Sequence, residues 1–189
     1  VGEYVVMENG ISASKSGIDV LSVDAGKTTL LLKTGGTFYT AEVPHDQTSG
    51  ELTAVTRFSI NTTGVSLTTG AVLDVTGWTW QDCGYHDGRL YVPVCKGAST
   101  VVAVYSILNE DGTVKSGALS PDKDCSIQIG DVNHRVVEVE SCAVYDGKLY
   151  FNANRTLPDG GKDCDCVAWT ALPPAPVIEK PDENPAQDA

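Results

Sequence analysis

Short and mostly alternating apolar runs constrain the fold of this chain more than any other feature of its sequence. Runs such as TAVTRFSI, RLYVPV, TVVAVYSI and KLYFNA are rich in valine, threonine and aromatic residues, and clusters of Gly, Asp, Asn and Pro separate them. This pattern is typical of half-buried strands joined by turns. No segment of about 11 residues or more carries the 3.6-residue period of an amphipathic helix. The sequence therefore predicts an all-β fold built from antiparallel meanders.

Two windows of the chain repeat the same pattern. CGYHDGRLYVPV begins at Cys83 and CAVYDGKLYFNA begins at Cys142, and both hold an Asp-Gly pair, which supplies the positive φ angles of a tight hairpin. A third unit without cysteine, GTFYTAEV, begins at Gly36. In each unit a later strand holds an aromatic residue followed by Ser or Thr. These pairs are Phe58-Ser59, Tyr105-Ser106 and Trp169-Thr170.

The repeat predicts the domain organisation. Three units are expected near residues 26–64, 77–112 and 135–171, within one β domain that spans residues 1–171. Residues 172–189 are rich in proline and acidic residues. Proline cannot donate a backbone hydrogen bond to a sheet, so this segment is predicted to be an extended linker or tail.

The windows VEVESCAVYDGKLYF and WQDCGYHDGRLYV resemble the blade motif of β-propellers in secreted bacterial proteins and phage receptor-binding proteins. The resemblance covers roughly residues 28–172 and implies non-catalytic binding of glycans or cell-wall polymers. Closed propellers have about four to eight blades, and three units leave open sheet edges. We therefore expect a partial or oligomer-completed β-propeller-like fold, with a β-sandwich as the alternative.

The charge of the chain limits the classes of partner that it can bind. Lys and Arg total 13 against 25 Asp and Glu, which gives a formal net charge of −12. An acidic chain repels nucleic acid, so we expect no nucleic-acid partner. No apolar stretch of about 18 residues predicts a membrane span. We expect an extracellular or surface-exposed protein that is secreted or belongs to a cell surface or virion.

Six cysteines leave two interpretations open. They are Cys83, Cys95, Cys125, Cys142, Cys164 and Cys166. They either form disulfides in an oxidising compartment or remain buried free thiols. No pair has the C-x-x-C spacing, and the histidines His45, His86 and His134 are not spaced as zinc ligands. We therefore predict no metal and no cofactor.

The residues just before the two Asp-Gly turns are the candidate site. Trp78 and Trp80 share one face of a strand and would stack on a sugar ring if exposed, or belong to the core if buried. Asp82 and Glu140 are the candidates for the carboxylate pair of a glycosidase, which needs a separation of about 5–9.5 Å. The alternative is that Gln81 and Glu140 hydrogen-bond to neighbouring blades.

The sequence supports three functions. The leading prediction is a non-catalytic recognition module, extracellular or on a virion surface, that binds a glycan or a cell-surface receptor through Trp78, Trp80, Gln81, Asp82 and Glu140. The first alternative is a polysaccharide-active hydrolase or lyase that uses Asp82 and Glu140. The second is a structural assembly protein of a virion or cell surface, which closes its sheet edges as a homo-oligomer.

Overall fold

A computed structural model describes residues 18–23, 27–34, 37–44, 55–61, 63–130, 133–163 and 165–175. Fifteen strands and no helix form within those ranges, which confirms the prediction of an all-β fold. With no helix among the described residues, none is available to cross a membrane. The three-unit repeat and its domain boundaries remain predictions.

The strands are short, as the turn-rich sequence predicts. The first eight are Ile18–Val23 (β1), Lys27–Thr34 (β2), Thr37–Pro44 (β3), Val55–Ile60 (β4), Gly64–Ser66 (β5), Val72–Asp74 (β6), Thr79–Trp80 (β7) and Gly84–His86 (β8). The remaining seven are Arg89–Lys96 (β9), Ser99–Ser106 (β10), Gly117–Leu119 (β11), Ile127–Gly130 (β12), Val136–Tyr145 (β13), Lys148–Thr156 (β14) and Cys166–Ala171 (β15).

These strands form four sheets. The first has the order β1-β2-β3-β4-β11, and the second has the order β12-β10-β9-β7 with β8 also paired to β9. The third sheet is β13-β14-β15, and β5 pairs with β6. All strand pairs are antiparallel except β4 and β11, which run parallel. Within the described ranges the sheets close into neither a barrel nor a propeller.

Both predicted Asp-Gly turns are present as tight hairpins. Asp87 and Gly88 have φ angles of 46° and 75°, and Asp146 and Gly147 have φ angles of 47° and 69°. Two successive positive φ angles between paired strands are the mark of a type I′ turn, whose twist matches that of the strands. The turns join β8 to β9 and β13 to β14.

The β9–β10 hairpin forms the middle layer of the core. One of its faces packs with Phe38 and Phe58 of the first sheet, whose rings stack with centroids 5.1 Å apart. Its other face packs against Cys142 and Leu149 of the third sheet. Burial on both faces explains why RLYVPV and TVVAVYSI are almost continuously apolar instead of alternating.

Hydrogen bonds tie the third sheet to the second. The Thr100 hydroxyl donates to the Val137 carbonyl oxygen at 3.0 Å, and the Cys142 thiol donates to the Tyr91 carbonyl oxygen at 3.1 Å. Gly84 makes the closest approach, since a Cβ atom there would lie 2.6 Å from the Cys142 carbonyl oxygen. The absence of a side chain at Gly84 therefore lets β8 and β13 come together.

The structure shows no disulfide among the cysteines it describes, in contrast to the first of the two interpretations above. Cys164 lies outside the described residues, and the other five, Cys83, Cys95, Cys125, Cys142 and Cys166, carry thiols. The buried sulfur atoms act instead as weak hydrogen-bond donors. Cys95 donates to the Val139 carbonyl oxygen at 3.5 Å, and Cys125 donates to the Lys123 carbonyl oxygen at 3.1 Å.

The first residues of the proline-rich segment are docked on the second sheet. The Arg89 guanidinium donates to the carbonyl oxygens of Pro173 and Pro174 at 3.3 and 3.0 Å. The same guanidinium forms an ion pair of 3.3 Å with Asp122. Residues 176–189, which contain the rest of the predicted linker, lie outside the described part of the chain.

Candidate ligand-binding site

Trp78 and Trp80, the two aromatic residues of the predicted site, are half-buried. Both pack against the apolar cluster on one face of the second sheet. Trp80 pairs with Val94 across β7 and β9, and the Trp78 amide donates to the Val75 carbonyl oxygen at 3.1 Å. Their position matches the core-packing alternative that the sequence left open.

The polar residues of the predicted site meet where the second and third sheets join. The Asp82 amide donates to the Glu140 carbonyl oxygen at 3.1 Å, so the two residues are neighbours across the junction. The Gln81 side-chain amide donates to a Glu138 carboxylate oxygen at 2.7 Å. The Glu140 carboxylate accepts a hydrogen bond from the Asn154 side-chain amide. The structure thus brings Gln81, Asp82 and Glu140 together. Gln81 and Asp82 of the second sheet region are hydrogen-bonded to Glu138 and Glu140 of β13.

The third sheet has one covered face and one exposed face. Its inner face packs against the second sheet through buried residues such as Cys142 and Leu149. Cross-strand partners point to the same face of a sheet, so the register identifies the residues on the opposite face, which we call the outer face. The outer face consists of Val136, Glu138, Ser141, Ala143 and Tyr145 from β13, Lys148, Tyr150, Asn152, Asn154 and Thr156 from β14, and Val167, Trp169 and Ala171 from β15. Glu140 joins this face through Asn154.

One end of the outer face is aromatic. Tyr145 is 74% exposed and Trp169 is 56% exposed, which is unusual for side chains of this size. Tyr150 lies directly opposite Trp169 in the register, and its ring centroid is 6.4 Å from that of Tyr145. The Lys148 ammonium lies 4.3 Å from the centre of the Trp169 ring. These four side chains, Tyr145, Lys148, Tyr150 and Trp169, are the aromatic end.

A one-residue offset explains why Trp169 faces outward. Gly36, Gly88 and Gly147 align in the repeat of the sequence, and in each case the residue two positions later pairs with an inward-facing position on the next strand. These pairs are Phe38 with Phe58, Leu90 with Tyr105, and Leu149 with Thr170. Thr170 therefore occupies the place that Phe58 and Tyr105 hold in the other hairpins. Since successive strand residues point to opposite faces, Trp169 is turned to solvent.

The opposite end of the outer face is polar. The Ser141 hydroxyl donates to Asn152 Oδ1 at 2.7 Å, and Asn154 Nδ2 donates to Glu140. Each asparagine side chain is exposed and keeps a second polar atom, Asn152 Nδ2 or Asn154 Oδ1, that bonds to no described residue. A donor and an acceptor thus face solvent here. These four residues, Glu140, Ser141, Asn152 and Asn154, are the polar end.

The two ends form one continuous strip. Tyr150 and Asn154 are four residues apart on β14, which corresponds to about 13 Å along a strand. The strip can therefore offer ring stacking at one end and hydrogen bonding at the other to a single elongated ligand. No group of three His, Cys, Asp or Glu side chains suited to a metal ion occurs in the ranges that the structure describes.

Tyr145, Tyr150 and Trp169 were not among the site residues predicted from the sequence. The signal that identifies them is the alternation of CVAWTA, in which Val167 and Trp169 share one face and Cys166 and Ala168 the other. That pattern indicates two distinct faces, but it does not say which face the rest of the chain covers. Residue type aligns Trp169 with Phe58 and Tyr105, whereas the register aligns Thr170 with them.

Comparison with known proteins adds no family to this description. No protein-family model matches the chain, and no curated protein matches its sequence.

Proposed function

We propose that this protein is a non-catalytic recognition module that binds a glycan through the outer face of the third sheet. The observation that carries the proposal is the exposed aromatic end, built from Tyr145, Tyr150 and Trp169, in line with the polar end. The C–H groups on the face of a sugar ring are weakly positive, and the face of an indole or phenol ring is negative, so the two attract each other.

The arrangement of polar groups favours a glycan over a protein as the ligand. A protein interface usually has an apolar centre surrounded by a polar rim. Here the polar groups lie at one end of a narrow strip, with Asn152 and Asn154 two residues apart on β14. Amide groups in such a row suit the hydroxyl groups of successive sugars, each of which both donates and accepts hydrogen bonds.

An extracellular or virion-surface location belongs to this proposal. The support for it is the acidic composition and the resemblance of the Asp-Gly windows to propeller blades of secreted and phage receptor-binding proteins.

A hydrolase or lyase is the second candidate, and one observation favours it. The backbone hydrogen bond between Asp82 and Glu140 places two carboxylate residues side by side at the polar end of the strip. Glu140 is nevertheless engaged by Asn154. Replacing Glu140 by Gln removes the charge while preserving the shape, and would abolish hydrolysis if that residue acts in catalysis.

The test is a glycan array followed by titration of the best ligand. Trp169→Ala should weaken binding about fivefold, because stacking contributes about 1 kcal/mol per ring. Val72→Ala is the matched control, since Val72 is also apolar and 78% exposed but lies on the separate β5–β6 sheet. Far-UV circular dichroism should show both variants folded.

Two results would overturn the proposal. One is an array without any ligand together with measurable hydrolysis of a polysaccharide that Glu140→Gln abolishes. The other is equal affinity of the wild type and Trp169→Ala for the ligand that the array identifies.

A further inference from the structure

We propose that the ligand of the outer face is an acidic glycan: a largely neutral oligosaccharide that carries one carboxylate-bearing sugar. The ring of that sugar stacks on the aromatic end, and its carboxylate pairs with Lys148. This inference rests on the proposed function and adds the chemical class of the ligand.

Lys148 is held in place but keeps its hydrogen-bonding capacity. Its ammonium lies 4.3 Å from the centre of the Trp169 ring, within the range of a cation–π contact. That contact occupies one side of the ammonium and leaves the N–H donors on its other side able to reach other groups. Lys148 forms no ion pair with any residue in the described ranges. A side chain positioned in this way loses less conformational entropy when it binds a carboxylate.

Lys148 is also the one cation at the outer-facing positions of β13, β14 and β15 within the described residues. The carboxylates of that face, Glu138 and Glu140, lie at the other end. Glu140 is five residues along β13 from Tyr145, the partner of Lys148, which corresponds to about 16 Å. That separation exceeds the Debye length of about 8 Å at physiological salt. Asp146, in the turn, is the nearest acidic residue in sequence.

The net charge of the whole chain limits how acidic the ligand can be. A formal charge of −12 repels a polyanion such as a sulfated polysaccharide over the length of the molecule. One carboxylate placed beside Lys148 gains the local attraction and avoids most of that repulsion. The charge pattern therefore favours a glycan with a single acidic sugar at one end.

The experiment compares acidic sugars with neutral counterparts of the same shape. The probes are 3′-sialyllactose against its methyl ester, and a disaccharide ending in glucuronic acid against the same disaccharide ending in glucose. Binding is measured by titration calorimetry with wild type, Lys148→Met, which keeps the length and loses the charge, and Lys148→Arg, which keeps the charge. Lys96→Met is the control for loss of a lysine elsewhere, since Lys96 is exposed at the end of β9.

We expect wild type to bind the acidic member of at least one pair about three- to fivefold more tightly, as an exposed ion pair allows. Lys148→Met should abolish that preference, so that the ratio of its affinities for the two members falls to about one. Lys148→Arg and Lys96→Met should keep the preference. The preference of the wild type for the acidic member should shrink at about 1 M salt, where the Debye length is about 3 Å.

The outcomes distinguish a failure of the acidic-ligand inference from a failure of the proposed glycan binding. Equal binding of both members by wild type, or a preference that survives in Lys148→Met, overturns the acidic ligand and leaves glycan binding standing. A dimer that Trp169→Ala dissociates would show that a second copy of the chain covers the outer face. That result overturns both the acidic ligand and glycan binding.

Discussion

At the scale of single residues, two Asp-Gly turns have nearly the same backbone angles and different surroundings. Gly88 and Gly147 have φ angles of 75° and 69°, in the left-handed region that side chains disfavour. A Cβ atom at Gly88 would lie 3.0 Å from Leu108 Cδ1, whereas no atom lies within 4 Å of such a Cβ at Gly147. Comparing substitutions at the two glycines therefore distinguishes the cost of backbone strain from the cost of steric contact.

Gly147→Ala should lower the free energy of unfolding by about 1 kcal/mol, from strain at positive φ alone. Gly88→Ala should lower it by about 2 kcal/mol, because the Leu108 side chain must also move. Urea unfolding followed by tryptophan fluorescence measures both. Equal losses in the two variants would show that the contact with Leu108 costs nothing.

Residues also show where matching by type fails. Phe58, Tyr105 and Trp169 look equivalent in sequence, since each is an aromatic residue followed by Ser or Thr. Phe58 and Tyr105 are buried and Trp169 is exposed. Register, which depends on how β14 and β15 pair, decides the face on which a residue lies.

At the scale of elements, the contact between β8 and β13 depends on Gly84. This glycine aligns with Ala143 in the second window, yet Ala143 faces outward and Gly84 lies against the Cys142 carbonyl group. The two windows therefore carry different residues at this position for a steric reason. The close approach keeps the inner face of the third sheet on the β9–β10 hairpin.

Gly84→Ala should destabilise the protein by about 1–3 kcal/mol, the usual cost of forcing extra volume into a packed interior. Its Cβ would lie 2.6 Å from a backbone oxygen, which cannot move away as a flexible side chain can. Gly64→Ala is the control, since a Cβ at Gly64, also on a short strand, meets nothing within 4 Å. A loss in Gly84→Ala no larger than in Gly64→Ala, by thermal unfolding, would contradict the packing described above.

The elements themselves were predictable to different degrees. Alternating runs and Asp-Gly pairs predicted the strands and both tight turns, because strand period and turn geometry are local properties. The pairing of β4 with β11 in parallel joins segments far apart in sequence, and no local pattern indicates it. The outer face was missed for the same reason, since exposure depends on which neighbour covers which side.

At the scale of the whole molecule, the two-sided burial of the β9–β10 hairpin has an electrostatic consequence. Burial raises the pKa of the Tyr91 and Tyr105 phenols, since the charged phenolate would lose its water. Burial likewise raises the pKa of the Cys95 and Cys125 thiols. All four groups are therefore neutral in the folded protein at pH 7.

The stability of the protein should fall at alkaline pH. Each of these groups has a higher pKa in the folded than in the unfolded chain, so its contribution is complete below the unfolded pKa and is lost as the pH rises through the folded pKa. With unfolded values of about 8.5 for Cys and about 10 for Tyr, the decline should begin above about pH 8.

Urea unfolding between pH 7 and pH 11 tests this expectation. Tyr105→Phe removes one of the titrating groups, as well as the hydrogen bond of 2.9 Å to the Asn61 carbonyl oxygen. That variant should be less stable at pH 7 and lose less stability above pH 9 than the wild type. A wild-type stability that stays constant up to pH 11 would contradict the burial of these side chains.

The sequence by itself determined the all-β class, the tight turns and the acidic character, because these depend on residues close in the chain or on composition alone. The tertiary structure decided which faces are covered. It placed Trp78 and Trp80 against the core, and left Trp169 exposed beside Lys148. The physical reason is that a strand pattern defines two faces, whereas burial of either depends on sheets that pack from distant parts of the chain.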